Sequence, residues 1–346
     1  MRIVVLSRSK TLHSTRRLMQ EARALGVECM IVNPLRCQLS VGKGGPQICI
    51  MGKNLEGVDV VVPRIGTSIT EYGLLVVRHF EHMGVPVVNP SDAILNSRNK
   101  FRALQTCSAK GLAVPLSVMG RSSSDLPNNM RLIGRFPMIM KLLQGAQGIG
   151  VMLGHDRSSV ESVVSTMLEM DKDLVLQEFI KEASGTDVRV LVVGGKVVAA
   201  MRRNAKKGEF RANVHRGGFG ERISRLPKSY ERLALASAKA LGLEIAGVDL
   251  LESSVGPLLL EVNSSPGFEE LEKATKINVA EKMIRQAMKQ AHAGHRRLAR
   301  AHAAALKRSG TAPKPKGRKA AAKKKPVAKR APAKKRVPAK SRAKKR

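Results

Sequence analysis

From Arg2 to Pro90 the chain alternates short β-branched runs with polar, helix-period segments: RIVVLS, STRRLMQEARALG, CMIVNP, VDVVVPRIG, EYGLLVVRHFEHMG and VPVVNP. Strands that run in one direction need a crossover between them, so this alternation predicts a small α/β unit with a mostly parallel sheet. Such units often bind nucleotides. Yet neither common phosphate-binding fingerprint, G-x-G-x-x-G after a strand or G-x-x-x-x-G-K-[ST], occurs in the sequence, which argues against a dinucleotide-dependent dehydrogenase and a P-loop enzyme.

After Asn96 the pattern changes. RNKFRALQTCSAKG reads as a helix, and strands follow at FPMIMKLL, LVLQEFI, VRVLVVGGKVVAAMRR, IAGVDLLE and GPLLLEVN. Gly194-Gly195 is a two-residue hairpin turn, so this half is α+β with antiparallel pairing. A helix rich in Ala, Met, Leu and basic residues is expected from about Val279 to about Lys307. The expected division is 1–95, 96–290 and 291–346.

Charge separates the last part from the rest. The formal net charge is +35, from 62 Lys+Arg against 27 Asp+Glu, and residues 282–346 hold 25 of those bases and no acid. The Lys/Ala/Pro stretch beyond the helix has nothing to build a core from and is expected to be disordered. It resembles linker-histone arms in composition, and without aromatics to stack on bases it suits RNA or other polyanions through charge alone, a solubilising extension being the alternative. His292, His295 and His302 on the basic helix read as a solvated face rather than a metal site. Cys29, Cys37, Cys49 and Cys107 lack a C-x-x-C pair, which predicts reduced, partly buried thiols. MRIVVLSRS reads as a first strand rather than a signal peptide, and no apolar window of membrane-spanning length occurs, so a cytoplasmic protein without a membrane partner is expected.

The segments IAGVDLLE and GPLLLEVN, joined by Ser253-Ser254-Val255, predict an antiparallel hairpin. Glu261 and Asn263 are two apart on a strand and therefore share a face, and the hairpin can bring Asp249 onto it. Buried carboxylates need a partner. Two carboxylates and an amide oxygen form a hard ligand set suited to Mg²⁺, with room for phosphate oxygens; a polar strand edge facing solvent is the alternative. Lys141 ends a strand before a glycine-rich stretch, Gly145, Gly148 and Gly150, where amides can approach phosphates or simply turn a hairpin. Lys100 is a second candidate cation. In QEFIKEASGTD, backbone and apolar groups around Glu178 and Phe179 could hold a flat base, and Asp187 could meet a ribose or a cation.

In this order the series RNK, KLLQGAQGIGV, QEFIKEASGTDVR, RRNAKKGEFRANVHRGG, AGVDLL and LLLEVNSSPGFE resembles the ATP-grasp ligases, specifically the ribosomal protein S-six modification enzyme family of L-glutamate ligases. PLRC and VVPRIGTSITEYG are similar too, so the resemblance spans roughly residues 1–290, and only the tail lacks a counterpart. It implies an ATP-grasp fold preceded by a small α/β pre-ATP-grasp domain. It further implies ATP and Mg²⁺ as cofactors, with Mn²⁺ as a second candidate metal. Lys100 and Lys141 would contact phosphates, Glu178 and Phe179 would form the adenine hinge, and Asp187 would lie near the ribose. Arg211, Ala212 and Asn213 match a further nucleotide-contact segment, with Lys141 and Arg211 as the catalytic cations, and Asp249, Glu261 and Asn263 match the metal ligands. The implied reaction adds L-glutamate to the acidic C-terminus of a ribosomal protein through an acyl phosphate. Arg202, Arg203, Arg216 and Arg64 are candidate clamps for acidic substrates or else surface charges. Another acidic acceptor, or a nucleic-acid binder with a vestigial ligase site, are the rival readings.

Overall fold

A computed structural model describes residues 1–143, 150–206, 208–212 and 217–308. The opening alternation becomes β1 (Arg2–Leu6), α1 (His13–Ala24), β2 (Glu28–Val32), β3 (Gln38–Ser40), β4 (Gln47–Ile50), β5 (Lys53–Asn54), β6 (Val60–Pro63) and α2 (Thr70–His82). Strands β2-β1-β6 pair in parallel, and β3-β4-β5 form a small antiparallel sheet. VPVVNP does not make the expected strand: it meets β6 only through a Val61–Val87 bridge. Pro86 and Pro90 bracket the segment and have no amide hydrogen to extend a ladder.

Next come α3 (Ser91–Arg98) and α4 (Lys100–Ser108). The Asn99 side chain starts α4 by accepting from the Arg102 amide at 2.9 Å, satisfying one of the orphan donors of a helix start. The chain then forms β7 (Ser117–Met119), α5 (Leu126–Ile133), β8 (Met138–Leu142), β9 (Val151–Gly154), α6 (Arg157–Glu169) and β10 (Leu174–Glu178). The sheet order is β7-β10-β8-β9, all antiparallel. Met130, Ile133, Val160 and Val164 of the two helices pack on Met138, Met140, Leu174 and Leu176.

The third sheet, ordered β13-β12-β11-β14-β15, positions the site. Its elements are β11 (Thr186–Val193), β12 (Lys196–Asn204), β13 (Phe219–Arg222), α7 (Lys228–Ala240), β14 (Ile245–Ser253) and β15 (Gly256–Asn263), followed by α8 (Glu269–Thr275) and α9 (Val279–Arg308). Gly194 and Gly195 both have positive φ, +59° and +73°, the primed turn that matches the twist of a two-residue hairpin. One face of this sheet, through Val188, Val190, Val192, Ala246, Val248 and Leu250, packs on α7. On the other face Leu191, Val193, Ala199, Met201 and Ile245 share a core with Ile3, Val5, Val60 and Val62 of the first sheet and with Met283, Ile284 and Ala287 of α9.

One buried polar residue reinforces that shared core. Asn89 is buried, and its amide is fully used: Nδ2 donates to the carbonyls of Ile245 and Ser264 at 2.7 and 2.9 Å, and Oδ1 accepts from the amides of Glu244 and Ile245 at 2.7 and 2.8 Å. His295 is exposed, as expected of a solvated face, and its Nε2 meets Asp59 Oδ1 at 2.8 Å on the surface. His292 is exposed, and the His302 side chain lies outside the described residues. All four cysteines are free, and burial pushes the thiols of Cys29, Cys37 and Cys107 up to about 11. Among the described residues no helix is long and apolar enough to cross a membrane. The chain divides into two units, Met1–Arg300 and Ala301–Arg346. Of the second, only the end of α9 lies within the described residues, so the expected disorder of the tail falls outside them.

Candidate functional site

The face of the third sheet that is apolar at one end becomes charged at the other. Strand alternation places Asp187 and Arg189 in line with Leu191 and Val193, and Arg203 in line with Ala199 and Met201. The register then sets Asp187 opposite Arg203, Arg189 opposite Asp249, and Asp249 opposite Glu261. A bulge after Asp249 leaves Leu260 without a partner, so Asp249, Glu261 and Asn263 share one face as the predicted hairpin requires. Asn263 lies opposite Gly247. A Cβ at Gly247 would come within 2.7 Å of Pro266, so glycine is what lets residues 264–267 fold back across the sheet.

Four charges along this row form a chain of ion pairs. Arg203 binds both Asp187 oxygens at 2.6 and 2.7 Å and reaches Asp249 at 2.8 Å, while Arg189 grips Asp249 at 2.7 and 2.6 Å. Burial pushes Asp187 up to about 6 even with Arg203 on it. Burial acts on Asp249 in the same direction, but Arg189 and Arg203 bracket it and hold it at about 2. Arg189 is a site residue that sequence reasoning missed. Its signal was available, because in TDVRVLVV it is two residues from Asp187 and shares its face.

The second sheet supplies one cation, Lys141, and the start of α4 another, Lys100. Lys141 Nζ, on β8, donates to Gln177 Oε1 at 2.5 Å. Burial lowers Lys141 to about 8; Glu261 acts against that shift and Lys100 adds to it. Lys141 thus lies near both Glu261 and Lys100. Glu178 ends β10, with its carboxylate taken by the Leu116 amide at 2.8 Å and by Arg135 at 3.1 Å. Phe179 beside it is half-buried. Arg211 is held by Glu209 at 2.9 and 2.7 Å and donates to the Val151 carbonyl at 3.2 Å, which ties its segment to β9; Ala212 is buried.

The remaining candidates are dispersed. Arg202 points to the opposite face and pairs with Glu252 at 2.5 Å. Arg203 is part of the buried network rather than an exposed clamp. Asn213, Arg216, Gly145 and Gly148 lie outside the described residues. Among the described residues no group of three or more His, Cys, Asp or Glu is arranged to hold a metal ion; the donor set is two carboxylates and an amide. That set fits a hard dication. Asn263 now donates from Nδ2 to Glu261 Oε1 at 3.0 Å, so its amide would turn to present oxygen to a metal. A groove of about 490 Å³, lined by Val85, Pro86, Glu244, Gln290 and Gly294 among others, shares no residue with the row.

The two antiparallel sheets, one carrying the carboxylates and the other Lys141, match an ATP-grasp fold. Solved relatives agree. The ATP-grasp ligase PsnB complexed with a minimal precursor superposes with a TM-score of 0.66 at 21% identity, covering 84% of this chain and 98% of that one. The RimK domain ATP-grasp protein of Sphaerobacter thermophilus gives 0.65 at 19%, covering 83% and 99%. Residues 97–287 match the RimK-like ATP-grasp domain and residues 1–94 the RimK pre-ATP-grasp domain. The chain belongs to the RimK-like ATP-grasp family, and it is an ATP-dependent carboxylate–amine ligase. Among curated relatives, a protein of Thioalkalivibrio sulfidiphilus named probable alpha-L-glutamate ligase is 46% identical over 284 residues, which is 82% of this chain and 94% of that one. One of the same name from Pseudoalteromonas translucida is 47% identical with the same coverage.

Proposed function

We propose that the protein adds L-glutamate to the C-terminal glutamate of a small-subunit ribosomal protein in the cytoplasm. The observation that carries this is the row Asp249, Glu261 and Asn263 facing Lys141 and Lys100: a hard-cation ligand set opposite cations for phosphate. The names of the relatives support glutamate as the amine substrate. PsnB bound to Mg and ADP supports the metal–nucleotide pairing.

In this reading Lys100 and Lys141 hold the phosphates, Phe179 and the backbone beside Glu178 hold the base, and Asp187 lies toward the ribose. Arg211, Ala212 and Asn213 complete the nucleotide contacts. Asp249, Glu261 and Asn263 would hold Mg²⁺ or Mn²⁺, which when bound neutralises the transferring phosphoryl group. Arg189 and Arg203 fix the orientation of Asp249. An acceptor carboxylate oxygen attacks the γ-phosphorus and ADP departs. The glutamate amine then attacks the acyl phosphate carbon, an amide bond forms, and inorganic phosphate leaves, with the amine's proton passing to the phosphate or to solvent. No protein nucleophile is needed, because positioning and charge supply the catalysis.

We take 1–95, 96–290 and 291–346 as the parts of the chain, and residues 311–346, with 17 Lys/Arg and no acid, as a tether to RNA. Mass spectrometry of an acidic peptide incubated with ATP, Mg²⁺ and L-glutamate tests the proposal. Mass increments of one glutamyl residue are expected on the free peptide and none on its C-terminal amide. Equal addition to both would place the reaction on a side chain.

A further inference from the structure

Among the described residues, two arginines beside the row meet no carboxylate. Arg64, just after β6, donates one terminal nitrogen to the Pro266 carbonyl at 2.8 Å and lies 5.8 Å from the centre of the Phe268 ring. Arg98, at the end of α3, donates to the Ile65 carbonyl. In both, Nε is sealed from solvent without a hydrogen-bond acceptor. Two other sealed and unpartnered atoms flank the same loop: Ser264 Oγ, and Nδ1 of His13, whose ring stands edge-on to Phe268 at 6.1 Å.

A half-buried guanidinium whose Nε is sealed and which meets no counter-charge is costly, and here two of them lie close enough to repel each other. Burial and the neighbouring Arg98 together lower Arg64 to about 10, and burial lowers Arg98 as well. The pair is also placed next to the chemistry. Pro266, which Arg64 grips, lies against Gly247, the register partner of Asn263.

We propose that Arg64 and Arg98 receive a carboxylate of an acidic substrate, one that is bound but not activated. This deepens the proposed function and rests on it for the identity of the substrate. Both L-glutamate and an acidic acceptor carry such a group: glutamate reacts through its amine and keeps both carboxylates, and the acceptor keeps those of its side chains. Guanidinium forks match carboxylates geometrically, which a lone lysine would not.

The test measures binding calorimetrically on the full chain, with glutarate, L-glutamate and a C-terminally amidated acidic peptide as probes. The proteins are wild type, Arg98→Gln, Arg98→Lys and Arg64→Gln, each first shown to bind ATP with Mg²⁺ normally. At least one probe should bind wild type and weaken about 10- to 100-fold in the glutamine variants, the range of hydrogen bonds to charged groups, with partial recovery in Arg98→Lys. Weakening of L-glutamate alone names the amine substrate as the source, and weakening of the peptide alone names the acceptor. Failure of wild type to bind any probe, or equal binding by the variants, overturns the site. If binding follows the arginines and no glutamate is transferred, the site stands and the proposed function falls.

Discussion

Replacing Arg203 with methionine removes the one cation that touches both Asp187 and Asp249. Arg189 still neutralises Asp249, so the burden falls on Asp187, which is 4% exposed and loses the partner of both oxygens. Breaking a buried pair by deleting one member costs about 3–5 kcal/mol if the charge stays. Protonation is the alternative. Taking up a proton from an unfolded value of 3.8 costs about 4 kcal/mol at pH 7 but only about 2 kcal/mol at pH 5.5. A carboxyl whose folded pKa is raised contributes stability below its unfolded value and loses it as pH rises, so the variant should suffer least in acid. Wild-type Asp187, already at about 6, gains roughly 0.8 kcal/mol itself over that interval. The deficit should therefore be about 3–4 kcal/mol at pH 7 and narrow by about 1 kcal/mol at pH 5.5. Urea unfolding at both pH values measures it, and Arg203→Met with Asp187→Asn should recover more than half. A deficit under about 1 kcal/mol at pH 7, or one that does not change with pH, would refute the idea that Asp187 is the stranded charge.

Lys141, lowered to about 8, loses its charge as pH rises, so ATP affinity should fall up to about tenfold between pH 7 and 9 while Lys141→Arg stays flat; nucleotide titrations across that range check it, and a flat wild-type curve contradicts it. Glu261→Ala should cut ATP turnover more than ~100-fold in a protein with unchanged circular dichroism, and near-normal turnover would remove Glu261 from the metal set. Truncation after Gly310 should preserve ligation on a short peptide but abolish RNA binding whose log K falls by ~0.7–0.9 per neutralised phosphate for each tenfold rise in salt. RNA affinity that survives truncation, or ignores salt, would leave the tail without that role.

The β14–β15 hairpin was legible because its signals are local: Asp249, Glu261 and Asn263 interrupt apolar strands at even spacing, with a short turn between. Gly194-Gly195 was legible for the same reason. Arg189 was overlooked although its spacing from Asp187 shows the shared face; its pairing with Asp249 depends on which strand lies beside β11, and that order leaves no trace in a single segment. The role of Arg203 was misjudged likewise: a basic residue beside Arg202 looks exposed until alternation sends the two to opposite faces. VPVVNP carried strand-forming residues, but its prolines removed the donors a ladder needs. The partners of Glu178, at Leu116 and Arg135, are 62 and 43 residues away and could not be read from its neighbours.

Asn89 bears on how this protein can be divided. The matched families meet between residues 94 and 97, a junction that invites cutting the gene there. Yet one amide from the first segment closes the start of β14 and the exit of β15, the two ends of the hairpin that carries Asp249, Glu261 and Asn263. An excised first segment would leave that amide with only water to meet it. The remainder would lose the latch that sets how far apart its ligand strands stand. Because every group that Asn89 meets is main-chain, an exchange of the first segment between relatives keeps this contact only if an asparagine stands at that position.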